Sequence, residues 1–359
     1  MTVQILRGDC REILRTLPAE SVHCVVTSPP YWGLRDYGHA GQIGLEKSPF
    51  AYVDEMVVVF REVWRALRPD GTLWLNLGDS YAGSGRGGNP TADSSTLQGS
   101  LASQEASMIR RTRGREEIGA TARDAAVTNL GRQATRGSQL PAGFHEVARQ
   151  EGAIGRAWVP PAAGFKQKDL IGMPWRVAFA LQADGWYLRQ DIIWSKPNPM
   201  PESVRDRCTK AHEYLFLLSK NERYHYDADA IAEEASGRSC GNKTYKYDGL
   251  PGHETKHGIL AVADKEWALR NRRTVWEVAT QPFSEAHFAT FPPALIEPCI
   301  KAGCPVGGTV LDPFGGAGTT GLVADRLGRN AILIELNPEY AAMAERRIRG
   351  DAGMFAEVQ

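Results

Sequence analysis

The sequence predicts an α/β protein with a doubly wound, mixed but mostly parallel sheet. Short apolar runs rich in Val, Ile and Leu alternate along the chain with longer segments whose apolar residues recur at helical spacing. Two of the runs end in glycine turns, Gly8-Asp9 and Gly315-Gly316, that open into helical segments. Alternation of this kind is the mark of parallel strands joined by helical crossovers. The 359 residues suffice for a sizeable core.

VQIL (3–6) reads as the first strand and REILRTL (11–17) as a short helix. VHCVV (22–26) is the next strand. Over residues 50–67, Val53, Met56, Val57, Phe60, Val63, Trp64 and Leu67 share one broad apolar face, which predicts a helix. RPDG (68–71) is expected to be a turn that ends it, and TLWLNL (72–77) a buried strand. The texture then changes. Residues 82–156 are rich in Gly, Ser, Ala, Thr and Arg, poor in large apolar groups, and carry the basic run RRTRGRE (110–116). They are expected to be an insertion serving as a lid or a clamp. Order returns with MPWRVAFALQADGW (173–186) as a helix and YLRQDIIWS (187–195) as a strand. The proline-rich loop KPNPMPES (196–203) and the strand HEYLFLLSK (212–220) follow. Trp175, Trp186, Trp194 and Trp276 are expected in the core. A second polar stretch ends in LRNRR (269–273). The last block is compact: a helix near 292–302, strand TVLDPF (309–314), helix TTGLVADRLG (319–328), strand AILIEL (331–336) and helix PEYAAMAERRI (338–348).

Lys and Arg number 42, balanced by 42 Asp and Glu, which excludes a uniformly basic nucleic-acid binder but not a local basic face. The six cysteines form no CxxC pair and no zinc spacing, so no metal is expected and free thiols in a cytoplasmic protein are. No run approaches the ~20 apolar residues of a membrane span, and no signal pattern opens the chain.

Two stretches carry chemistry. VVTSPPYWGLRDY (25–37) ends an apolar run in two prolines, which cannot donate to a ladder and so stop the strand. TVLDPFGGAGTTG (309–321) is a strand, a glycine turn and a helix. Its glycines allow close approach of a ligand to backbone amides at a helix N-terminus. Asp312 stands at the strand end, where a carboxylate can meet a ligand's polar or cationic part. Glu335 ends the next strand, where acids bind ribose hydroxyls in nucleotide folds. No GK[ST] follows, so the turn is no phosphate clamp. Two acids flanking a glycine turn suit a nucleoside with a cationic tail, and S-adenosyl-L-methionine fits that description better than NAD or ATP.

TSPPYW (27–32) together with DPFGGAGTTG (312–321) resembles the DNA amino-methyltransferases, which methylate exocyclic nitrogens of cytosine or adenine. The order, catalytic motif first and cofactor loop last, resembles their permuted beta class. The resemblance covers about 1–80 and 170–350 and implies a Rossmann-like S-adenosyl-L-methionine-dependent methyltransferase fold. It implies a catalytic set of Ser28, Pro29, Pro30 and Tyr31: Ser28 and the Pro29 carbonyl accept the amine hydrogens, and Tyr31 stacks on the flipped base. Trp32 lines the pocket. For the cofactor it implies Asp9 at the adenine, Thr290 and Phe291 at the methionine end, and Asp312, Phe314, Gly316, Gly318, Thr319, Glu335 and Asn337 around the loop. His212 and Glu213 are a polar pair at a strand entry, with a supporting role implied. The implied organisation is a catalytic half in 1–81 and 157–220, the insertion at 82–156, a recognition region at 221–275 and a cofactor half at 276–359. Arg270, Arg272 and Arg273 are expected to touch DNA. Double-stranded DNA is the implied partner, a cognate restriction endonuclease is a further one, and monomer or homodimer stays open. Serine at the first motif position resembles the cytosine-N4 branch, with adenine N6 the alternative and a non-catalytic DNA- or cofactor-binding relative a remote one.

Overall fold

The computed structural model describes residues 1–33, 39, 41–82, 164–235, 269–281, 290–352 and 357–358. The insertion expected at 82–156, save Ala82, lies outside them, as do residues 236–268 of the expected recognition region.

The chain opens with β1 (Thr2–Arg7), α1 (Cys10–Thr16), β2 (Val22–Thr27), α2 (Pro49–Ala66) and β3 (Leu67–Leu77). Then come α3 (Met173–Ala183), β4 (Tyr187–Ser195), β5 (His212–Ser219) and two short strands, β6 (Glu233–Glu234) and β7 (Leu269–Arg270). The last third holds β8 (Val275–Glu277), α4 (Pro293–Gly303), β9 (Thr309–Asp312), α5 (Thr319–Arg326), β10 (Asn330–Glu335), α6 (Pro338–Ala352) and β11 (Glu357–Val358).

Nine strands form one sheet in the order β11-β1-β10-β9-β2-β3-β5-β4-β8, and β5 alone runs against the rest. α1, α2 and α3 cover one face through Leu14, Phe60, Val63, Val177 and Leu181. The other face packs on α4, α5 and the end of α6 through Leu295, Ile300, Val323 and Ile348. From β9 the chain crosses through α5 to β10 on one side, and from β2 through α2 to β3 on the other. The boundary between β9 and β2 is therefore where the winding reverses, and ligands of open α/β sheets bind in the crevice at the carboxyl ends of such a pair. Thr27 and Asp312 end these two strands.

Most expected elements are present, with two corrections. RPDG is not a turn. α2 passes directly into β3, and residues 68–71 are bulged: Val22 pairs with Leu67, but Cys24 with Thr72. Pro69 cannot donate, so a bulge is the form in which a central strand tolerates it. Gly71 is required there, since a Cβ would lie 2.5 Å from Leu67 Cγ. Trp64 is the second correction. It is 40% exposed at the margin of the apolar face of α2, with the Lys220 ammonium 4.2 Å over its ring. Trp186, Trp194 and Trp276 are buried as expected, and Trp175 packs edge-on against Tyr214 and Phe216. The described ends of 221–275 pack on the sheet. Tyr226 stacks on Trp74, Ile231 is buried, and the expected boundary at 275/276 falls inside β8.

Candidate active site

Beyond β2 the chain turns through Ser28-Pro29-Pro30-Tyr31. The Tyr52 hydroxyl of α2 donates to the Pro30 carbonyl at 2.9 Å, which ties the turn to the helix layer. Pro29 is buried, and among the described residues none donates to its carbonyl. Trp32 Nε1 donates to the Glu46 carbonyl at 2.9 Å. Tyr31 lies with its ring against Gly78, where a Cβ would stand 2.5 Å from Tyr31 Cε2. Its hydroxyl donates to Glu213 Oε2 at 2.8 Å and lies 3.1 Å from Asn76 Oδ1 and 3.4 Å from Ser28 Oγ. Glu213 is paired through its other oxygen with Lys196, whose ammonium also sits 4.1 Å over the Trp194 ring. Asn76 donates to the Tyr214 carbonyl at 3.0 Å. Burial first, and then the Glu213 charge, push the Tyr31 hydroxyl well above its usual pKa, so it stays a donor.

The second half of the crevice is the glycine turn. Gly316 (φ +50°) and Gly318 (φ +74°) are left-handed, a conformation glycine takes without strain. A Cβ at Gly318 would lie 2.7 Å from Ala344 Cβ in α6. Gly316 N donates to Glu335 Oε2 at 2.7 Å and Asn337 N to Oε1 at 2.8 Å. Glu335 is only partly buried, and each oxygen keeps a lone pair for a hydroxyl donor. Burial holds its carboxyl above the ordinary range. Gly8 N donates to the Glu335 carbonyl at 2.9 Å, which brings the Gly8-Asp9 turn alongside. Asp9 caps α1 and is clasped by Arg11, whose Nη2 lies 2.5 Å from Oδ2. Burial raises the Asp9 carboxyl, but Arg11 outweighs it and holds it below the usual range. Phe314 and Phe291 are partly buried on opposite faces of the sheet, and Thr290 precedes α4.

Several expected residues are placed otherwise. The Asp312 side chain points inward and the residue is 1% exposed. It accepts from Thr27 Oγ1 at 2.6 Å, Thr320 Oγ1 at 2.6 Å and Phe314 N at 3.0 Å. The cause is the strand's pairing: β9 lies directly beside β2, so an acid at its end meets the threonine that ends β2 rather than the crevice. Thr319 is buried, accepting from Arg347 at 2.9 Å, and the Asn337 side chain accepts from Glu339 N at 2.8 Å at the start of α6. The arginine run is not brought to this crevice. Arg270 and Arg273 both donate to Glu233, at 2.9 and 2.7 Å. Arg272 lies 4.7 Å over the Trp276 ring, and lines a surface pocket with Arg189 and Gln190 of the amino half of β4. Ser28 stands at the opposite, carboxyl end of the strands.

Asn76 and Lys196 went unmarked in the sequence. A lone polar residue inside TLWLNL is a signal for Asn76, because a buried amide needs a partner. Lys196 gives no such signal; it meets Glu213 only because β4 and β5 pair Ser195 with His212.

A family model described as DNA methylase matches residues 22–346. The chain belongs to the DNA methylase family, the N6/N4 amino-methyltransferases. The methylase is 44% identical over 345 residues to the Type II methyltransferase M.SmaI of Serratia marcescens, covering 96% of this chain and 90% of that protein. It is 42% identical to M.Cfr9I of Citrobacter freundii, covering 97% and 88%. Its fold is similar to that of the PvuII DNA methyltransferase (cytosine-N4-specific), with a TM-score of 0.55 at 18% identity over 99% of this chain and 89% of that one. It is also similar to a putative DNA modification methylase of Thermus thermophilus solved with S-adenosyl-L-methionine, with a TM-score of 0.53 at 22% identity over the whole of both chains. The methylase thus has the Rossmann-like fold of S-adenosyl-L-methionine-dependent DNA methyltransferases.

Proposed function

We propose that this methylase transfers the methyl group of S-adenosyl-L-methionine to the exocyclic amine of a base flipped out of double-stranded DNA, and that the base is cytosine, modified at N4. The observation that carries the reading is the meeting of the Ser28–Tyr31 turn and the glycine turn at one crevice. When bound, S-adenosyl-L-methionine supplies an electrophilic methyl carbon on a sulfonium. The residues present fit it: Gly316 turns left-handed, Glu335 offers free carboxylate lone pairs beside it, and no clamp lysine follows the turn.

An exocyclic amine is a poor nucleophile because its lone pair is delocalised into the ring. Ser28 Oγ and the Pro29 carbonyl accept hydrogen bonds from its two N–H groups, localise that pair and stabilise the developing charge. The prolines hold the carbonyl without a mobile backbone. Tyr31 gives its ring to the base, while Glu213 fixes its hydroxyl. The amine cannot be reached inside a duplex, so the base leaves the stack. Serine at the first position of the turn supports cytosine, as the Asp or Asn of adenine-type motifs is absent. Type II methyltransferase relatives support a cognate restriction endonuclease as partner.

Nucleoside mass spectrometry of unmethylated DNA treated with the purified protein and S-adenosyl-L-methionine tests this. N4-methylcytosine is expected. N6-methyladenine would overturn the base assignment and keep the amine chemistry; neither product would overturn both.

A further inference from the structure

We infer that Asp312 is a positioning residue, the pin that holds the Ser28–Tyr31 turn against the glycine turn, and that it makes no contact with the cofactor. The inference rests on the proposed function and assigns a role within that crevice. Asp312 is 1% exposed and its carboxylate is taken up by three protein donors, so nothing entering the crevice reaches it. Its three hydrogen bonds go to three different segments. Thr27 immediately precedes Ser28. Phe314 immediately precedes the first glycine of the turn. Thr320 lies in the first turn of α5. One carboxylate thus joins the end of the strand that carries the amine acceptors to both flanks of the loop opposite. Its two oxygens are shared out, Oδ1 to Thr27 and Phe314, Oδ2 to Thr320, so the carboxylate cannot turn without breaking a bond.

A ligand and a pin predict different losses. Removing a cofactor ligand weakens cofactor binding. Removing a pin leaves binding in place and lets the two turns drift, and a misplacement of ~1 Å costs about 10²-fold in rate. Asp312→Asn and Thr27→Val are compared with Glu335→Gln. Three quantities are read: the melting temperature, S-adenosyl-L-methionine affinity by calorimetry, and single-turnover methyl transfer to DNA. Both pin variants should stay folded and bind cofactor within about threefold of wild type while transfer falls about 10²-fold. The double variant should be little worse than either single one, because residues acting as a unit are non-additive. Glu335→Gln should instead lose cofactor affinity.

A folded Asp312→Asn protein that no longer binds cofactor would overturn the inference, and so would undiminished transfer in Thr27→Val. If Asp312→Asn fails to fold, Thr27→Val carries the test alone. If the wild type methylates no DNA, the proposed function fails, and the pin is still read from the Thr27–Asp312 coupling in melting temperature. Additive single effects there would sink it.

Discussion

At the scale of single residues, the site depends on close approaches more than on reactive groups. Gly78 is the clearest case. The Tyr31 ring occupies the volume a side chain would need, so Gly78→Ala should displace the ring while leaving the glycine turn untouched. Turnover should fall about 10- to 100-fold with cofactor affinity unchanged, as a rate measurement beside calorimetry would show. Asp312 illustrates the converse, a charge retained in spite of its cost. Burial pushes its carboxyl up to about 6, against the pull of Thr27, Thr320 and Phe314. The folded protein therefore binds this proton more tightly than the unfolded chain does. Asp312 contributes most to stability below the ordinary carboxylate range, and that contribution is lost as pH rises through about 6. At neutral pH the ionised group costs on the order of 3 kcal/mol. The melting temperature of Asp312→Asn minus that of wild type should grow between pH 4 and pH 7 (about the span of the two pKa values). A flat difference would mean that the carboxylate is not paying this penalty. A variant that gains stability and loses turnover would mark a residue kept for geometry.

At the scale of elements, α5 and α6 meet where the glycine turn ends. Gly318 is left-handed and has Ala344 of α6 against it. Gly318→Ala should cost about 1–3 kcal/mol through overpacking and a strained φ, lowering the melting temperature and weakening cofactor binding together. Loss of binding with unchanged melting would place the damage in the turn alone. The elements themselves were legible in the sequence. The face of α2 is spelled out by Met56, Phe60 and Val63, and the buried strands by their apolar runs. Less legible was anything decided by what lies beside an element. RPDG carries turn residues, yet pairing with β2 absorbs it as a bulge. Trp64 has the right spacing but falls at the edge of the buried face. The two motifs of the crevice could be read because each is local to one strand end. The direction of the Asp312 side chain, the Lys196–Glu213 pair and the salt links of Arg270 and Arg273 depend on strand register, which composition does not encode.

At the scale of the whole molecule, a chain of zero net charge places its working groups by sheet order alone. Reversal of the winding between β9 and β2 brings together motifs whose order along the chain then matters little. The Thr27–Asp312 bond spans 285 positions. Closing so long a loop is a modest thermodynamic burden, about 0.6 kcal/mol for each doubling of length, so a large segment between β3 and α3 is tolerated. Its consequence is kinetic. Contacts of such separation form after local ones. On the ribosome the Ser28–Tyr31 turn is made first, and its anchor only when β9 emerges more than two hundred residues later. A nascent or truncated chain that has not reached Thr320 cannot assemble the crevice. Methylating activity therefore waits for α5 to emerge.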